Sequence, residues 1–221
     1  MTSTIGAIRM KAGSTPAELP PFVTIVDDDP GVRDALDSLF RSVGMTTRAF
    51  GSAAEMLQAD LPQSSGCLIL DVRLPGLSGL DFQVQLASHG IDLPVVFMTG
   101  HGDIPMTVRA MKAGAVDFLS KPFRDQDMLD AVTSAIERDR LKRIERAAAD
   151  GLRADYDTLT QREREVMGHV VAGLMNKQVA GVIGLSEITV KIHRGNVMRK
   201  MGVRTLADLV RKAEALGSSG R

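Results

Sequence analysis

The sequence predicts an α/β domain followed by an all-α one, and three observations carry that prediction. From residue 22 to about residue 140, short apolar runs alternate with amphipathic stretches. The runs are almost continuously apolar, as in a parallel sheet whose two faces are both covered by helices. From Leu159 onward no strand-like run occurs, and helical patterns follow one another. The charge divides between the same two regions. Residues 22–125 carry 13 Asp+Glu against 8 Lys+Arg, a net of −5, and residues 159–221 carry 5 against 11, a net of +6. The formal net charge of zero for all 221 residues hides this division. A basic second half is suited to nucleic acid.

The elements follow in order. The first strand is FVTIV (22–26), and Asp29 then N-caps a helix over Gly31–Val43 with Pro30 at its first position. TTRAF (46–50) is the second strand and Ala53–Ala59 the second helix. CLIL (67–70) precedes a helix over Gly79–Ser88, PVVFMT (94–99) one over Pro105–Ala113, and VDFL (116–119) one beginning at Asp125. Residues 127–156 contain no proline and one glycine, which predicts a long helix. Leu129, Val132 and Ile136 form one apolar stripe on it, suited to packing on the sheet. Leu141, Ile144, Ala148 and Leu152 form a second stripe, displaced by one residue, which could face another subunit, the next domain or nothing. Thr160 to Glu163 forms a capping box for a helix running to about Ala172. Asn176–Ile183 is a short helix ended by Gly184, Ser186 N-caps a helix from Glu187 to about Met201, and Arg204–Leu216 is the last. A short helix, a glycine-bearing turn and a longer cationic helix make up helix-turn-helix grammar.

Several function classes are set aside. A lone cysteine, Cys67 in an apolar run, forms no internal disulfide and reads as an inert core thiol of a reducing compartment. No stretch reaches the ~18 apolar residues that span a bilayer. Residues 1–21 read as a disordered tail rather than a signal peptide, so the protein is expected in the cytoplasm, without a membrane partner. His169 and His193 have no second ligand at metal spacing.

The chemistry stands at strand ends. Asp27, Asp28 and Asp29 follow the first strand, Asp71 the third, Thr99 ends the fourth, and Lys121 comes just beyond the fifth. Open α/β sheets bind ligands beyond the carboxyl ends of their strands. Crowded carboxylates repel one another unless a cation neutralises them, and hard oxygen ligands suit Mg²⁺. A carboxylate nucleophile, a metal, an ammonium and a hydroxyl are the parts that stabilise a phosphoryl group in transfer to Asp.

IVDDD, LILDVRLPGLSG, VVFMTGHGDIPMTVRAMKAGAVDF and LSKPF resemble the receiver domain of two-component response regulators. LTQREREVMGHVVAGLMNKQVAGVIGLSEITVKIHRGNVMRKMGVRTLADLV resembles the LuxR-type helix-turn-helix. Together they resemble the NarL/FixJ subfamily over about residues 22–215. The resemblance implies a flavodoxin-like (βα)5 receiver at residues 22–125, a helical linker at 126–158 and a four-helix DNA-binding domain at 159–221. It implies that Asp71 accepts phosphate from a sensor histidine kinase. Asp28, Asp71 and the carbonyl of Arg73 would bind Mg²⁺ directly, with Asp27 helping through water. Thr99 and Lys121 would hold the phosphoryl oxygens, Phe118 would be the aromatic switch, and Lys121–Pro122 would be cis. Phe118 lacks the hydroxyl of the tyrosine common at this position, so switching here would rest on packing. The receiver would catalyse its own phosphorylation and dephosphorylation, the chain being otherwise no enzyme.

In the cationic helix, Thr189, Lys191, Ile192, Arg194, Gly195, Arg199 and Lys200 are candidates for contact with promoter DNA. The family places Lys191, Ile192 and Gly195 near base edges, and Thr189, His193, Arg194 and Asn196 nearer the backbone. Val190, Val197, Met198 and Met201 read as core. Gly195 is costly in mid-helix, so it either lets the helix enter the groove deeply or is an unoptimised site. Val108, Arg109, Lys112, Asp117 and Phe118 form a face suited to a homodimer made on phosphorylation, and RNA polymerase is a further expected partner. Two rivals share parts of this pattern. An aspartyl-phosphate hydrolase needs a second carboxylate two residues after its nucleophile, where Arg73 stands. A phosphorylation-independent DNA-binding regulator would have no use for the acidic cluster.

Overall fold

The computed structural model describes residues 20–62, 64–100 and 104–218. The expectation for residues 1–19 lies outside these. The chain divides into two compact units between Leu141 and Lys142.

The first unit contains five strands, β1 Phe22–Val26, β2 Thr46–Phe50, β3 Gly66–Asp71, β4 Val95–Thr99 and β5 Asp117–Ser120. All pair in parallel, in the order β2-β1-β3-β4-β5, the flavodoxin-like order with its reversal between β1 and β3. The helices are α1 Pro30–Ser42, α2 Ala53–Leu57, α3 Gly79–Leu86, α4 Ile104–Lys112 and the first part of α5 Asp125–Asp157. β1, β3 and β4 are buried at every residue, whereas β2 and β5, at the edges, have only exposed and half-buried residues.

Alternation along each strand sends side chains to opposite faces. Val23, Ile25, Cys67, Ile69, Val96 and Met98 pack with Leu36 and Phe40 of α1 and with Met128, Val132 and Ile136 of α5. Val26, Leu68, Leu70 and Phe97 pack on the other face with Met56 of α2, Leu80, Phe82 and Leu86 of α3 and Ala110 of α4. Cys67 is fully buried, and burial holds its thiol well above the ordinary range, so it stays neutral and unreactive. Of the two stripes read on α5, Val132 and Ile136 are buried and Leu129 is half-buried against the same core. In the second stripe Leu141 and Ile144 are exposed. Buried Asp139 accepts the Gly66 N–H at 2.9 Å, which ties α5 to the start of β3.

The second unit contains the end of α5 with α6 Gln161–Val171, α7 Asn176–Ile183, α8 Glu187–Lys200 and α9 Leu206–Ser218. Its core is Leu159, Val166, Met167, Val170, Val179, Val190, Val197, Met201 and Leu209, with Met198 packed at its margin. The capping box of α6 is present: Thr160 Oγ1 accepts from Glu163 N–H, and Glu163 Oε2 accepts from Thr160 N–H. Gly184 ends α7 at φ 69°, a left-handed conformation that glycine adopts without steric penalty. Two residues later Ser186 Oγ accepts from Thr189 N–H and starts α8. Among the described residues, no helix is long and apolar enough to cross a membrane.

Candidate functional site

Parallel pairing brings the carboxyl ends of β1, β3, β4 and β5 to one edge of the sheet, and the polar residues stand there. Asp27 directly follows β1 and is fully buried, whereas Asp28 beside it is exposed. Asp71 and Thr99 end β3 and β4, the first 7% exposed and the second fully buried. Lys121 follows β5, and its peptide bond to Pro122 is cis.

Lys121 joins the two buried acids. Its Nζ donates to Asp27 Oδ2 at 2.6 Å and to Asp71 Oδ2 at 3.2 Å. The remaining oxygens are held by backbone: Asp27 Oδ1 accepts from Asp29 N–H at 2.8 Å and Asp71 Oδ1 from Arg73 N–H at 3.2 Å. Arg33 donates to the Asp27 carbonyl at 2.8 Å and so pins the loop after β1. Asp29 is the N-cap of α1, its Oδ1 accepting from Gly31 N–H.

Burial pushes the Asp71 carboxyl above its ordinary range. The Arg73 N–H and the Lys121 charge oppose that rise, and the Asp27 charge reinforces it. Burial also disfavours the Lys121 ammonium, but its hydrogen bond to Asp27 and the charges of Asp27 and Asp71 outweigh this and raise its pKa. One carboxylate oxygen from each of Asp27, Asp28 and Asp71 lies within 4.8 Å of the others. Three carboxylates face one ammonium, which leaves negative charge in excess. Hard oxygens in excess of local cations fit a divalent cation of the Mg²⁺ or Ca²⁺ type.

Gly79, the first residue of α3, shapes this edge. A Cβ there would lie 2.2 Å from the Asp71 carbonyl oxygen. Its N–H donates to the Val72 carbonyl at 2.9 Å. Only a residue without a side chain lets the loop after β3 fold back onto the strand end that carries Asp71. The sequence reading missed this position; LPGLSG holds two glycines, and only the contacts distinguish them.

In the second unit, the set read as DNA contacts divides by environment. Lys191, Ile192, Gly195 and Arg199 are exposed on α8. Arg194 donates to Asn176 Oδ1 at 3.0 Å, which links α8 to the start of α7. Thr189 bonds Ser186 in the cap of α8. His193 and Asn196 are half-buried, and the buried His193 Nδ1 has no hydrogen-bond partner among the described residues. Lys200 turns inward, its Nζ donating to Glu163 Oε2 at 2.7 Å and to the Thr158 carbonyl at 2.9 Å. Ile188, one turn before Ile192, is 74% exposed and did not figure in the sequence reading. A Cβ at Gly195 would meet nothing within 4 Å.

On the first unit, Val108, Arg109, Lys112 and Asp117 are exposed along α4 and β5. Phe118 is half-buried, its ring 6.2 Å from that of Phe97 and tilted by 42°. Exposed Ile104 and Met111 extend the apolar part of this face beyond what was read.

The chain is similar to known proteins along nearly its whole length. Residues 23–133 match the response regulator receiver domain family, and residues 157–213 match the luxR family of bacterial regulatory proteins. Nodulation protein W of Bradyrhizobium diazoefficiens is 58% identical over 211 residues, covering 96% of this chain and 93% of that protein. The transcriptional regulatory protein FixJ of Azorhizobium caulinodans is 42% identical over 202 residues, 91% of this chain and 95% of FixJ. The solved structure of the response regulator StyR superposes with a TM-score of 0.81 at 48% identity, covering 89% of this chain and 99% of StyR. A strand edge with Asp27, Asp71 and Lys121, followed by a helix-turn-helix, thus occurs in a chain similar to these regulators along nearly its whole length, and the chain belongs to the NarL/FixJ subfamily of two-component response regulators, transcription factors with a receiver domain and a LuxR-type DNA-binding domain.

Proposed function

We propose that Asp71 is the phosphoacceptor through which a sensor histidine kinase controls this transcription factor. The observation that carries the assignment is the Lys121 ammonium, held 2.6 Å from Asp27 and 3.2 Å from Asp71 at the end of a buried sheet. An Asp71 oxygen attacks phosphorus, the P–N bond of the kinase phosphohistidine breaks, and the bond pair leaves with the imidazole. The product is an acyl phosphate. Lys121, already at the carboxylate, neutralises a phosphoryl oxygen, and Thr99 donates its hydroxyl to another. Asp27, Asp28, Asp71 and the Arg73 carbonyl are the groups that would hold Mg²⁺, which when bound supplies positive charge opposite the transferring phosphoryl oxygens. The same groups would serve hydrolysis of the acyl phosphate, so this limited self-catalysis is part of the proposal.

The working division is a receiver at residues 22–125, a linker at 126–158 and a DNA-binding domain at 159–221. In the last, Lys191, Ile192 and Gly195 meet base edges, with Thr189, His193, Arg194 and Asn196 nearer the phosphates. Lys200 acts from behind by holding α8 to α6 through Glu163. Phosphate draws Thr99 inward and Phe118 turns with it, remaking the face of Val108, Arg109, Lys112 and Asp117 so that two copies pair across two half-sites and present DNA to RNA polymerase.

Incubation with acetyl phosphate tests the acceptor. Wild type incorporates one phosphoryl group with Mg²⁺ and little without it, and Asp71→Asn incorporates none. Equal incorporation by Asp71→Asn would place the acceptor elsewhere.

A further inference from the structure

α8 is apolar on two opposite sides. At 3.6 residues per turn, Val190, Val197 and Met201 fall within about 40° of one another and face the helical core, where each is at most 1% exposed. Ile188, Ile192, Gly195 and Arg199 fall within about 60° on the other side. There Ile188 is 74% and Ile192 59% exposed, and neither belongs to the core. An exposed helix position favours a straight-chain or polar residue, and β-branched isoleucine lowers helix propensity there. Two of them one turn apart therefore serve no purpose within the fold.

Their place on the helix says what they meet. Ile188 is the second residue of α8, and the N-terminal residues of the second helix of a helix-turn-helix are those that reach base edges. Lys191, between the two isoleucines in sequence, and Arg199, about two turns on, are exposed cations, so the stripe carries charge that draws a polyanion rather than an apolar protein face. Gly195 continues the stripe without a side chain and with open space around it, which lets the helix approach closely. In the major groove the apolar feature available to such a stripe is the C5-methyl of thymine.

We propose that Ile188, together with Ile192, reads thymine methyl groups in the major groove and thereby sets part of the DNA sequence preference of this regulator. The inference rests on α8 being the base-reading helix. It makes Ile188 a specificity-determining residue and predicts thymines at two neighbouring positions of each half-site.

The test uses the full chain treated with acetyl phosphate and Mg²⁺. A duplex is selected from a randomised pool, and each thymine in it is then replaced in turn by uracil, which removes only the methyl. Wild type should lose about fourfold in affinity per contacted methyl. Ile188→Ala, at an exposed position where alanine favours the helix, should bind the thymine and uracil duplexes equally at one of these positions, and Ile192→Ala at the other. Equal sensitivity of wild type and Ile188→Ala to every uracil would overturn the inference, as would a change in oligomeric state without a change in thymine preference. Lys191→Ala separates the two levels. If it weakens binding while no uracil effect depends on Ile188, α8 is the reader and the methyl assignment is wrong. If it has no effect either, α8 is not the reading helix and both fail.

Discussion

Lys121 and Lys200 each end on a buried carboxylate, and their partners differ in kind. Lys121 faces Asp27 and Asp71 at a cluster with negative charge to spare. Lys200 meets the single carboxylate of Glu163, already bound to the Thr160 N–H, and satisfies it. Burial pushes the Glu163 carboxyl up, but the hydrogen bonds from Lys200 and Thr160 outweigh it and leave its pKa below the ordinary value. The stability this confers is therefore full above the ordinary glutamate pKa and is lost as pH falls through the lower folded value. Lys200→Met should cost about 1–3 kcal/mol at pH 7 and should flatten the acid limb of stability, as followed by denaturant unfolding at a series of pH values. An unchanged acid limb would remove Glu163 as its source. Gly79 carries a second prediction at this scale. Gly79→Ala must shift backbone rather than a flexible side chain, so about 1–3 kcal/mol should be lost and phosphate incorporation at Asp71 should fall. The aspartates and lysine of the strand edge were legible because each follows an apolar run. Gly79 and the Lys200–Glu163 pair were not, because each depends on a contact with a distant or backbone atom that no local pattern records.

At the scale of elements, β1 and β2 stand where the apolar runs put them, residues 22–26 and 46–50. β3 extends one residue at each end of CLIL, to Gly66 and Asp71, because pairing with β1 and β4 continues past the apolar stretch. The helix read as Gly79–Ser88 is α-helical to Leu86 and finishes in a 3₁₀ turn at Ala87–His89, a common way for a helix to tighten at its end. Ile104, Val108 and Met111 recur at i, i+4 and i+7 on α4, all exposed, an apolar strip on a helix whose opposite side, at Ala110, is buried. Such a strip, bordered by Arg109, Lys112 and Asp117, suits a self-complementary interface. Phosphorylated wild type should dimerise by light scattering, and Val108→Asp with Lys112→Glu should stay monomeric under the same treatment. If the double variant still pairs, the exposed Leu141 and Ile144 of α5 become the interface to test.

Across the whole molecule, the division of charge that the sequence shows, −5 in residues 22–125 and +6 in 159–221, corresponds to two kinds of surface chemistry. The first unit gathers carboxylates at a sheet edge, and the second carries exposed cations on a helix. Joined in one chain of the NarL/FixJ subfamily, they make a two-component response regulator; in the function proposed above, a covalent change at Asp71 is read as a change in DNA binding. On that proposal the ligand in the first case is transient and in the second is a partner, so sequence conveys each site as an imbalance of charge. The most direct test is a titration of promoter DNA with wild type and Asp71→Asn, each with and without acetyl phosphate and Mg²⁺. The account predicts that phosphorylation tightens binding by wild type and leaves Asp71→Asn unchanged at the weaker level. Equal affinity of the two proteins under both conditions would contradict it.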